Sequence, residues 1–227
     1  MNIEEIRKEE KKKFLVDRVK YNLIYPAEEV VRMLKRYCKN PETSTILDFG
    51  CGSGRNIRPM LDMGFKKIIA TDYNEECLEL TRSNLREKKH NVEYLKNNRK
   101  QIPLSDNSLD CMVAWGVLFA FTAQERQDFL KEIHRVLKPN GFLIADYRGK
   151  RDNLYGRGTE IERNLFLLNS DAGVLENIIF WFCDEKELRN LYESSNFIID
   201  NIERKLQYVN NLSQVVDHYY LVCHKNN

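Results

Sequence analysis

The stretch that decides the fold is Asp48-Phe49-Gly50-Cys51-Gly52-Ser53-Gly54-Arg55-Asn56. It overlaps the end of a short apolar run, residues 45–49, which predicts a buried strand, and it precedes a helix predicted at 57–63. Three glycines at alternate positions let the backbone turn tightly, and a ligand can lie against them without meeting a Cβ atom. The sequence therefore predicts a ligand-binding turn between a strand and a helix.

The spacing within this glycine loop argues against two common nucleotide sites. The dinucleotide fingerprint has its third glycine three residues after the second, where this chain has Arg55. A phosphate-binding GxxxxGK motif followed by Ser or Thr does not occur in the sequence. Asp48, two residues before the first glycine, would repel a pyrophosphate but suits a ligand that carries an ammonium group. The loop is predicted to bind something other than NAD or a nucleoside triphosphate.

A second carboxylate, Asp72, ends the next predicted strand, twenty-two residues after Gly50. An acid at this place can accept the two hydroxyls of a ribose. The alternative is that Asp72 caps the helix predicted to begin near Asn74. The order and spacing of the glycine loop and Asp72 favour ribose binding.

Outward from the loop, short apolar runs alternate with helical patterns. Strands are predicted at 45–49, 67–71, 92–95, 108–114 and 141–147, with helices at 57–63, 74–88 and 123–137. Further strands are predicted at 177–182, 197–205 and 215–224, the last two antiparallel to each other, with a helix at 184–195. The alternation predicts an α/β, doubly wound, mainly parallel seven-stranded sheet with helices on both faces, in a single domain.

The segment 148–176 departs from this pattern. It follows the predicted fifth strand, contains glycines at 149, 156, 158 and 173, and shows no further strand–helix unit. One interpretation is an ordinary surface loop. Its length favours a functional lid that swings on these glycines and recognises the second substrate.

Four segments carry a resemblance to a known family: LDFGCGSGRN (47–56), IIATDYNEECL (68–78), IPLSDNSLDCMVAWGVLFAF (102–121) and EIHRVLKPNGFLIADY (132–147). From about residue 24 to 147 the chain resembles class I S-adenosylmethionine-dependent methyltransferases, and the last two segments resemble their small-molecule branch. The resemblance implies a Rossmann-like fold with S-adenosylmethionine as cofactor. It divides the chain into an N-terminal helical cap (1–43), a cofactor-binding core (44–147), an acceptor-site insertion (148–176) and closing strands with a helix (177–227).

The resemblance also implies roles for individual residues. Gly50, Cys51 and Gly52 would contact the methionine part through their backbone, and Asp48 would help to hold the loop and the amino group. Asp72 would bind the ribose and Tyr73 the adenine. Counted back from Pro103, Asn98 takes the place of the family's adenine-binding aspartate, with Arg99 beside it. Trp115 and Gly116 would line the pocket where the methyl group faces its acceptor.

The catalytic residues are not identified by the sequence. A proton acceptor is needed only where the nucleophile loses a proton as it attacks. Asp146 and Tyr147, at the end of the predicted fifth strand, and Glu160, in the insertion, are the candidates.

Composition limits the remaining possibilities. The 227 residues include 36 basic and 34 acidic side chains, a net charge of +2, which is too balanced for a protein that depends on a phosphate backbone. The sequence shows no apolar run of membrane-spanning length and no secretory signal, and its six cysteines lack metal-binding spacing. We therefore expect a cytoplasmic enzyme without a metal, a membrane or a nucleic-acid partner. Its oligomeric state is left open.

The predicted activity is methyl transfer to an O, N or C atom of a small-molecule metabolite. Two alternatives stay open: a nucleic-acid methylase of the same fold and a non-catalytic cofactor-binding module. Against the first stands the absence of an Asn/Asp-Pro-Pro-aromatic motif after the fourth strand, where the chain has Ala-Trp-Gly-Val. Against the second stand the intact glycines and Asp72.

Overall fold

The computed structural model describes residues 3–16, 22–86 and 91–226. The helices are α1 (Ile3–Val16), α2 (Glu28–Tyr37), α3 (Ile57–Asp62), α4 (Glu75–Leu85), α5 (Ala123–Val136) and α6 (Glu185–Glu193). The strands are β1 (Thr45–Phe49), β2 (Lys67–Asp72), β3 (Val92–Lys96), β4 (Leu109–Ala114), β5 (Leu137–Gly149), β6 (Thr159–Glu162), β7 (Leu165–Leu167), β8 (Ile179–Cys183), β9 (Phe197–Val209) and β10 (Gln214–Lys225). Part of the predicted N-terminal cap, 17–21, and the end of the predicted helix 74–88 lie outside the described residues.

The central sheet has the strand order β3-β2-β1-β4-β5-β10-β9. Strands β1 to β5 are parallel, whereas β10 runs antiparallel to both β5 and β9. The predicted seven-stranded, mainly parallel sheet is confirmed, as is the antiparallel pairing of the last two strands. The inner strands read as nearly continuous apolar runs because helices cover both faces of the sheet.

Successive strand residues alternate between two apolar cores. One core contains Leu47 and Leu143 and packs against α5 and α6. The other contains Ile46 and Ile144 and packs against α2, α3 and α4. We call this second side of the sheet the α2 face. Because side chains alternate along a strand, Asp48 and Asp146 share the α2 face with Ile46 and Ile144.

The segment 148–176 is not the irregular excursion that its sequence suggested. Strands β6 and β7 form an antiparallel hairpin, and β7 pairs with β8. Strand β8 also pairs with the end of β5, where Arg148 lies opposite Phe182. The strand predicted at 177–182 therefore belongs with the insertion and not with the closing strands. All five residues of β8 are buried, so the hairpin gains a long-range apolar partner that local sequence patterns do not show.

Two of the four glycines in the insertion pack closely against neighbouring chain. A Cβ atom on Gly149 would lie 2.1 Å from Asp217 Oδ2, and one on Gly158 would lie 2.0 Å from the carbonyl oxygen of Leu167. Gly156 and Gly173 have open space at the same position. Gly149 and Gly158 are therefore packed against neighbouring chain, and the lid stays a prediction.

None of the helices in the described part of the chain combines the length and the apolar character needed to cross a bilayer.

Candidate functional site

A cavity of about 170 Å³ opens at the carboxyl ends of the parallel strands β1 to β4. It is lined by Phe49, Gly50, Gly52, Asp72, Tyr73, Cys77, Asn97, Arg99, Gly116, Val117 and Ala120. Open α/β sheets bind ligands at this end of their strands. The cavity therefore brings together six residues that the sequence assigned to a cofactor: Gly50, Gly52, Asp72, Tyr73, Arg99 and Gly116.

The glycine loop is held against the sheet and leaves one glycine facing open space. Gly50, Gly52 and Gly54 have φ angles of 72°, 55° and 77°. A Cβ atom on Gly50 or Gly54 would collide with Val117 or Thr81, whereas on Gly52 it would find just the Gly50 carbonyl oxygen, 4.0 Å away. Gly50 and Gly54 thus permit close packing, and Gly52 presents bare backbone to the cavity.

Asp72 links the loop to the second strand. Its Oδ2 accepts a hydrogen bond of 3.1 Å from the Gly52 N–H, and its Oδ1 accepts one of 2.9 Å from the Asn74 N–H. Burial raises the pKa of this carboxyl, and the two N–H groups act against the rise. Helix α4 begins at Glu75 with Asn74 as its N-cap residue, so Asp72 supports the turn without being the cap itself. The Cys77 thiol also hydrogen-bonds to this carboxylate, which still keeps an acceptor site for a ribose hydroxyl.

Two more carboxylates, Asp48 and Asp146, are buried on the α2 face beside the cavity. Asp48 is 2% exposed, and burial together with nearby Asp72 raises its pKa to about 7 against the opposing charge of Arg55. Its Oδ2 has no hydrogen-bond partner among the described residues. A buried acceptor without a partner fits a site for a donor such as an ammonium group.

The Asp146 side chain bonds to the backbone of the cavity wall. Its Oδ1 accepts a hydrogen bond of 2.6 Å from the N–H of Gly116, which lines the cavity. Burial raises the pKa of Asp146 to about 6, and the guanidinium groups of Arg148 and Arg55 limit the rise. A carboxylate with such a pKa can accept a proton at neutral pH.

The adenine end of the predicted site has a different asparagine from the one expected. Asn98 is exposed, and its Oδ1 accepts hydrogen bonds from the N–H groups of Lys100 and Gln101. It closes a local turn and does not line the cavity. Its neighbour Asn97 is 6% exposed and lines the cavity. The position directly after the end of β3 is the sequence signal that identifies Asn97, because strand ends meet at the site.

Tyr73 and Arg99 form the wall beside Asn97. The Arg99 guanidinium lies 4.1 Å from the centre of the Tyr73 ring. The backbone N–H of Arg99 donates to Asn97 Oδ1 at 3.1 Å, and its φ of 63° turns the chain back over the cavity. These contacts leave an aromatic ring and a planar cation next to each other, a surface that suits a flat base.

Two predicted residues lie beside the cavity without lining it. Cys51 is buried, and its Sγ lies 3.5 Å from Thr81 Oγ1. Trp115 stacks on Tyr220 on the α2 face, with ring centres 5.3 Å apart. Besides Asn97, the lining residues that the sequence analysis did not select are Phe49, Cys77, Val117 and Ala120.

The structure separates the three candidate proton acceptors. Tyr147 is fully buried in the core opposite the α2 face, and its hydroxyl lies 2.7 Å from that of Tyr192. Tyr147 is therefore a core residue and does not face the cavity, which corrects its candidacy, and burial also raises its pKa. Glu160 is exposed on β6, where its Oε1 accepts a hydrogen bond from the Asn164 N–H. Of the three, Asp146 is the one bonded to the cavity wall.

A family model described as a methyltransferase domain matches residues 46–141. The matched range contains the glycine loop, Asp72, Asn97 and Gly116. Residues 46–141 therefore form a class I methyltransferase domain. The cofactor of this family is S-adenosylmethionine, and the cavity fits it, because Gly52 presents bare backbone and Asp72 presents a carboxylate to the same space.

Relatives of this chain carry names that point to different activities. An uncharacterized methyltransferase of Schizosaccharomyces pombe is 44% identical over 49% of this chain and 41% of its own length. A tRNA N(3)-cytidine methyltransferase of Gallus gallus is 25% identical over 71% of this chain and 45% of its own length. The chain spans less than half the length of these two relatives.

A solved S-adenosylmethionine-dependent methyltransferase from Methanosarcina mazei shares the fold. Its TM-score is 0.73 at 24% identity, and the match covers 86% of this chain and 97% of the other. The Rossmann-like methyltransferase fold expected from the resemblance is therefore confirmed.

Proposed function

We propose that this methyltransferase domain binds S-adenosylmethionine in the β1–β4 cavity and transfers its methyl group to an O, N or C atom of a small molecule. The observation that carries the proposal is the cavity itself. It joins the bare backbone of Gly52, the Asp72 carboxylate and Gly116 in one space beside Asp146.

Each end of the cavity suits one part of the cofactor. Asp72 would accept the ribose hydroxyls, and Tyr73 and Asn97 would bind the adenine. The backbone of Gly50 and Gly52 would hold the methionine part, with Asp48 near its ammonium group. When bound, the cofactor supplies an electrophilic methyl group on a sulfonium, which leaves as a neutral thioether.

The remaining chemistry falls to the protein. In-line displacement requires the acceptor to be aligned and water to be excluded, and such orientation can supply about 7–11 kcal/mol. The buried position of Asp146, 4% exposed, provides a proton acceptor shielded from bulk water. It would take the proton from an O–H or N–H nucleophile.

A small-molecule acceptor is favoured by the balanced charge of the chain, 36 basic against 34 acidic residues. The tRNA methyltransferase among the relatives is the observation that favours RNA instead. A cytoplasmic site of action also stays a prediction; all six cysteines are free, which suits a reducing compartment.

Two measurements test the proposal. Titration calorimetry with S-adenosylhomocysteine tests the cavity, and an absence of binding would overturn the cofactor assignment. Methyl-labelled S-adenosylmethionine is then incubated with a metabolite panel and, separately, with total tRNA. Labelled metabolites support the proposal, and labelled tRNA with salt-dependent retention supports the nucleic-acid alternative. Binding without transfer to either would indicate a non-catalytic module.

A further inference from the structure

Three aromatic rings form a stack on the α2 face, next to the cofactor cavity. Trp115 and Tyr220 lie 5.3 Å apart with an interplanar angle of 17°, and Tyr220 and His218 lie 5.8 Å apart at 31°. We call these three residues the ring stack. Tyr220 is buried, whereas Trp115 and His218 are partly exposed at the two ends of the stack. An exposed ring face at the end of a stack can take a further flat ring.

The ring stack is joined to the place where a methyl group would be delivered. Trp115 precedes Gly116, which lines the cavity and donates to Asp146. Asp146 on β5 lies directly opposite Tyr220 on β10. Residues directly opposite each other in an antiparallel pair point to the same face. The buried carboxylate and the stacked rings are therefore neighbours.

Exposed apolar side chains border the same region. Leu23, Ile24 and Tyr25 are 49%, 47% and 79% exposed. The segment that carries them is fastened to the glycine loop, because the Ser53 hydroxyl donates to the Leu23 carbonyl and the Ala27 N–H donates to Asn56 Oδ1 at 3.2 Å. We call residues 22–27 the strap. Its exposed side chains are held beside the cofactor cavity.

Helix α2 connects the strap to the ring stack. It begins at Glu28, directly after the strap, and the carboxylate of Glu29 contacts the Tyr220 hydroxyl. The Nζ of Lys205 on β9 lies 2.8 Å from Glu29 Oε1, which ties the start of α2 to the sheet. The strap, the glycine loop and the ring stack thus lie on the same side of the sheet as Asp146.

We propose that the methyl acceptor is a small planar aromatic or heteroaromatic molecule. It would bind on the α2 face between the strap and the ring stack and donate a hydrogen bond from an O–H or N–H to the Asp146 carboxylate. This inference rests on the proposed function. The lone pair of that oxygen or nitrogen forms the bond to the methyl carbon, and the carbon–sulfur bond breaks with its electrons going to sulfur. The proton passes to the Asp146 carboxylate.

Three matched probes separate the contribution of an aromatic ring to binding from that of a hydroxyl group. Saturation-transfer NMR and calorimetry are run with 2-naphthol, 2-methoxynaphthalene and decahydro-2-naphthol on protein saturated with S-adenosylhomocysteine. The first probe has an aromatic ring and a hydroxyl, the second lacks the donor, and the third lacks the aromatic ring. We expect 2-naphthol to bind about threefold to tenfold more tightly than each of the others.

Substitutions at Trp115 locate the preference. Trp115→Leu should bring the ratio between 2-naphthol and decahydro-2-naphthol close to one, whereas Trp115→Phe keeps a ring and most of the ratio. Trp181→Phe is the matched control, because Trp181 packs against Arg126 and Tyr147 away from the α2 face. These probe ratios are compared within each variant, so a change in cofactor affinity does not alter them.

Equal binding of the three probes would overturn the inference, as would an unchanged ratio in Trp115→Leu. Failure of the wild-type protein to bind S-adenosylhomocysteine would be seen first, in the calorimetry alone. That result would overturn the proposed function and this inference with it. Cofactor binding without a ring preference would overturn this inference and leave the proposed function standing.

Discussion

The Oδ1 atom of Asp146 lies 2.6 Å from the backbone nitrogen of Gly116 and accepts its hydrogen bond. This contact joins a buried carboxylate on the α2 face to the wall of the cofactor cavity. It distinguishes Asp146 from its neighbour Tyr147, which points into the opposite core. In the proposed function, one residue of β5 would therefore place a proton acceptor beside the cavity.

Asp146→Asn should lower kcat/KM by about 100-fold or more for an O–H or N–H acceptor, because a positioned base typically contributes that much. Burial raises the pKa of Asp146 to about 6, so the wild-type kcat/KM should rise with pH through about 6 and level off above it. The Asp146→Asn variant should lose this rise of kcat/KM with pH. A pH–rate profile of both proteins measures the difference.

Glu160→Gln is the matched control for Asp146→Asn, since it also replaces a carboxylate by an amide. The amide oxygen can still accept the Asn164 N–H, so the β6–β7 hairpin keeps its contact. We expect kcat/KM to stay close to the wild-type value. A large loss at Glu160 with unchanged cofactor affinity would instead assign acceptor recognition to the insertion 148–176.

Asp72→Ala should weaken S-adenosylhomocysteine binding by roughly tenfold to a hundredfold, because a hydrogen bond to a charged group contributes about 1.5–3 kcal/mol. Asp72→Asn retains an oxygen that can accept from the Gly52 or the Asn74 N–H. Its affinity for S-adenosylhomocysteine should lie between those of the wild type and Asp72→Ala. Calorimetry on proteins with matched circular dichroism spectra measures the effect. Wild-type affinity in the alanine variant would remove Asp72 from the site.

Gly52→Val should abolish cofactor binding, because the valine side chain would project into the cavity. The protein should still fold, since an added Cβ atom at this position meets no atom closer than 4.0 Å. The φ of 55° adds a backbone cost of about 1–2 kcal/mol. Gly156→Val is the control, because its φ is 79° and its added Cβ atom also meets open space. Both variants should lose stability in urea, and just the first should lose binding.

The contribution of Asp48 to the stability of the ligand-free protein should fall as the pH rises. Burial raises its pKa from 3.8 to about 7, so the fold favours the protonated form. The contribution of Asp48 to the free energy of unfolding is then highest below pH 4 and declines as the pH rises through about 7. Between pH 5 and pH 8 the wild type should lose roughly 2–3 kcal/mol more than Asp48→Asn. Urea unfolding at both pH values measures this, and equal losses would refute the prediction.

The local part of the site could be predicted from the sequence because it depends on short-range backbone geometry. The left-handed φ angles of Gly50, Gly52 and Gly54 are ones that glycine adopts without strain. Asp72 could be placed because a parallel strand ends at the ligand-binding edge. The alternation of apolar strands with helices likewise predicts the doubly wound sheet.

Counting along the sequence was less successful where the chain turns. Asn97 and Asn98 are adjacent and chemically identical, yet Asn97 is 6% exposed in the cavity wall and Asn98 is exposed in a turn. The difference follows from the backbone after β3, where Arg99 has a φ of 63°. This turn places Asn97, and not Asn98, in the cavity wall. Counting residues back from Pro103 cannot detect such a change in backbone direction.

By itself, the sequence determined the parallel sheet, the glycine loop and the carboxylate at Asp72, because each depends on residue type and periodicity within a few positions. The tertiary structure decided which face of β5 meets the cavity. Side chains alternate along a strand, so Asp146 and Tyr147 must point to opposite faces, but the sequence does not say which helices cover each face. It also decided that the insertion is a sheet, because Arg148 and Phe182 pair across a gap in sequence. Contacts of that range depend on the packing of the whole chain, and no local pattern encodes them.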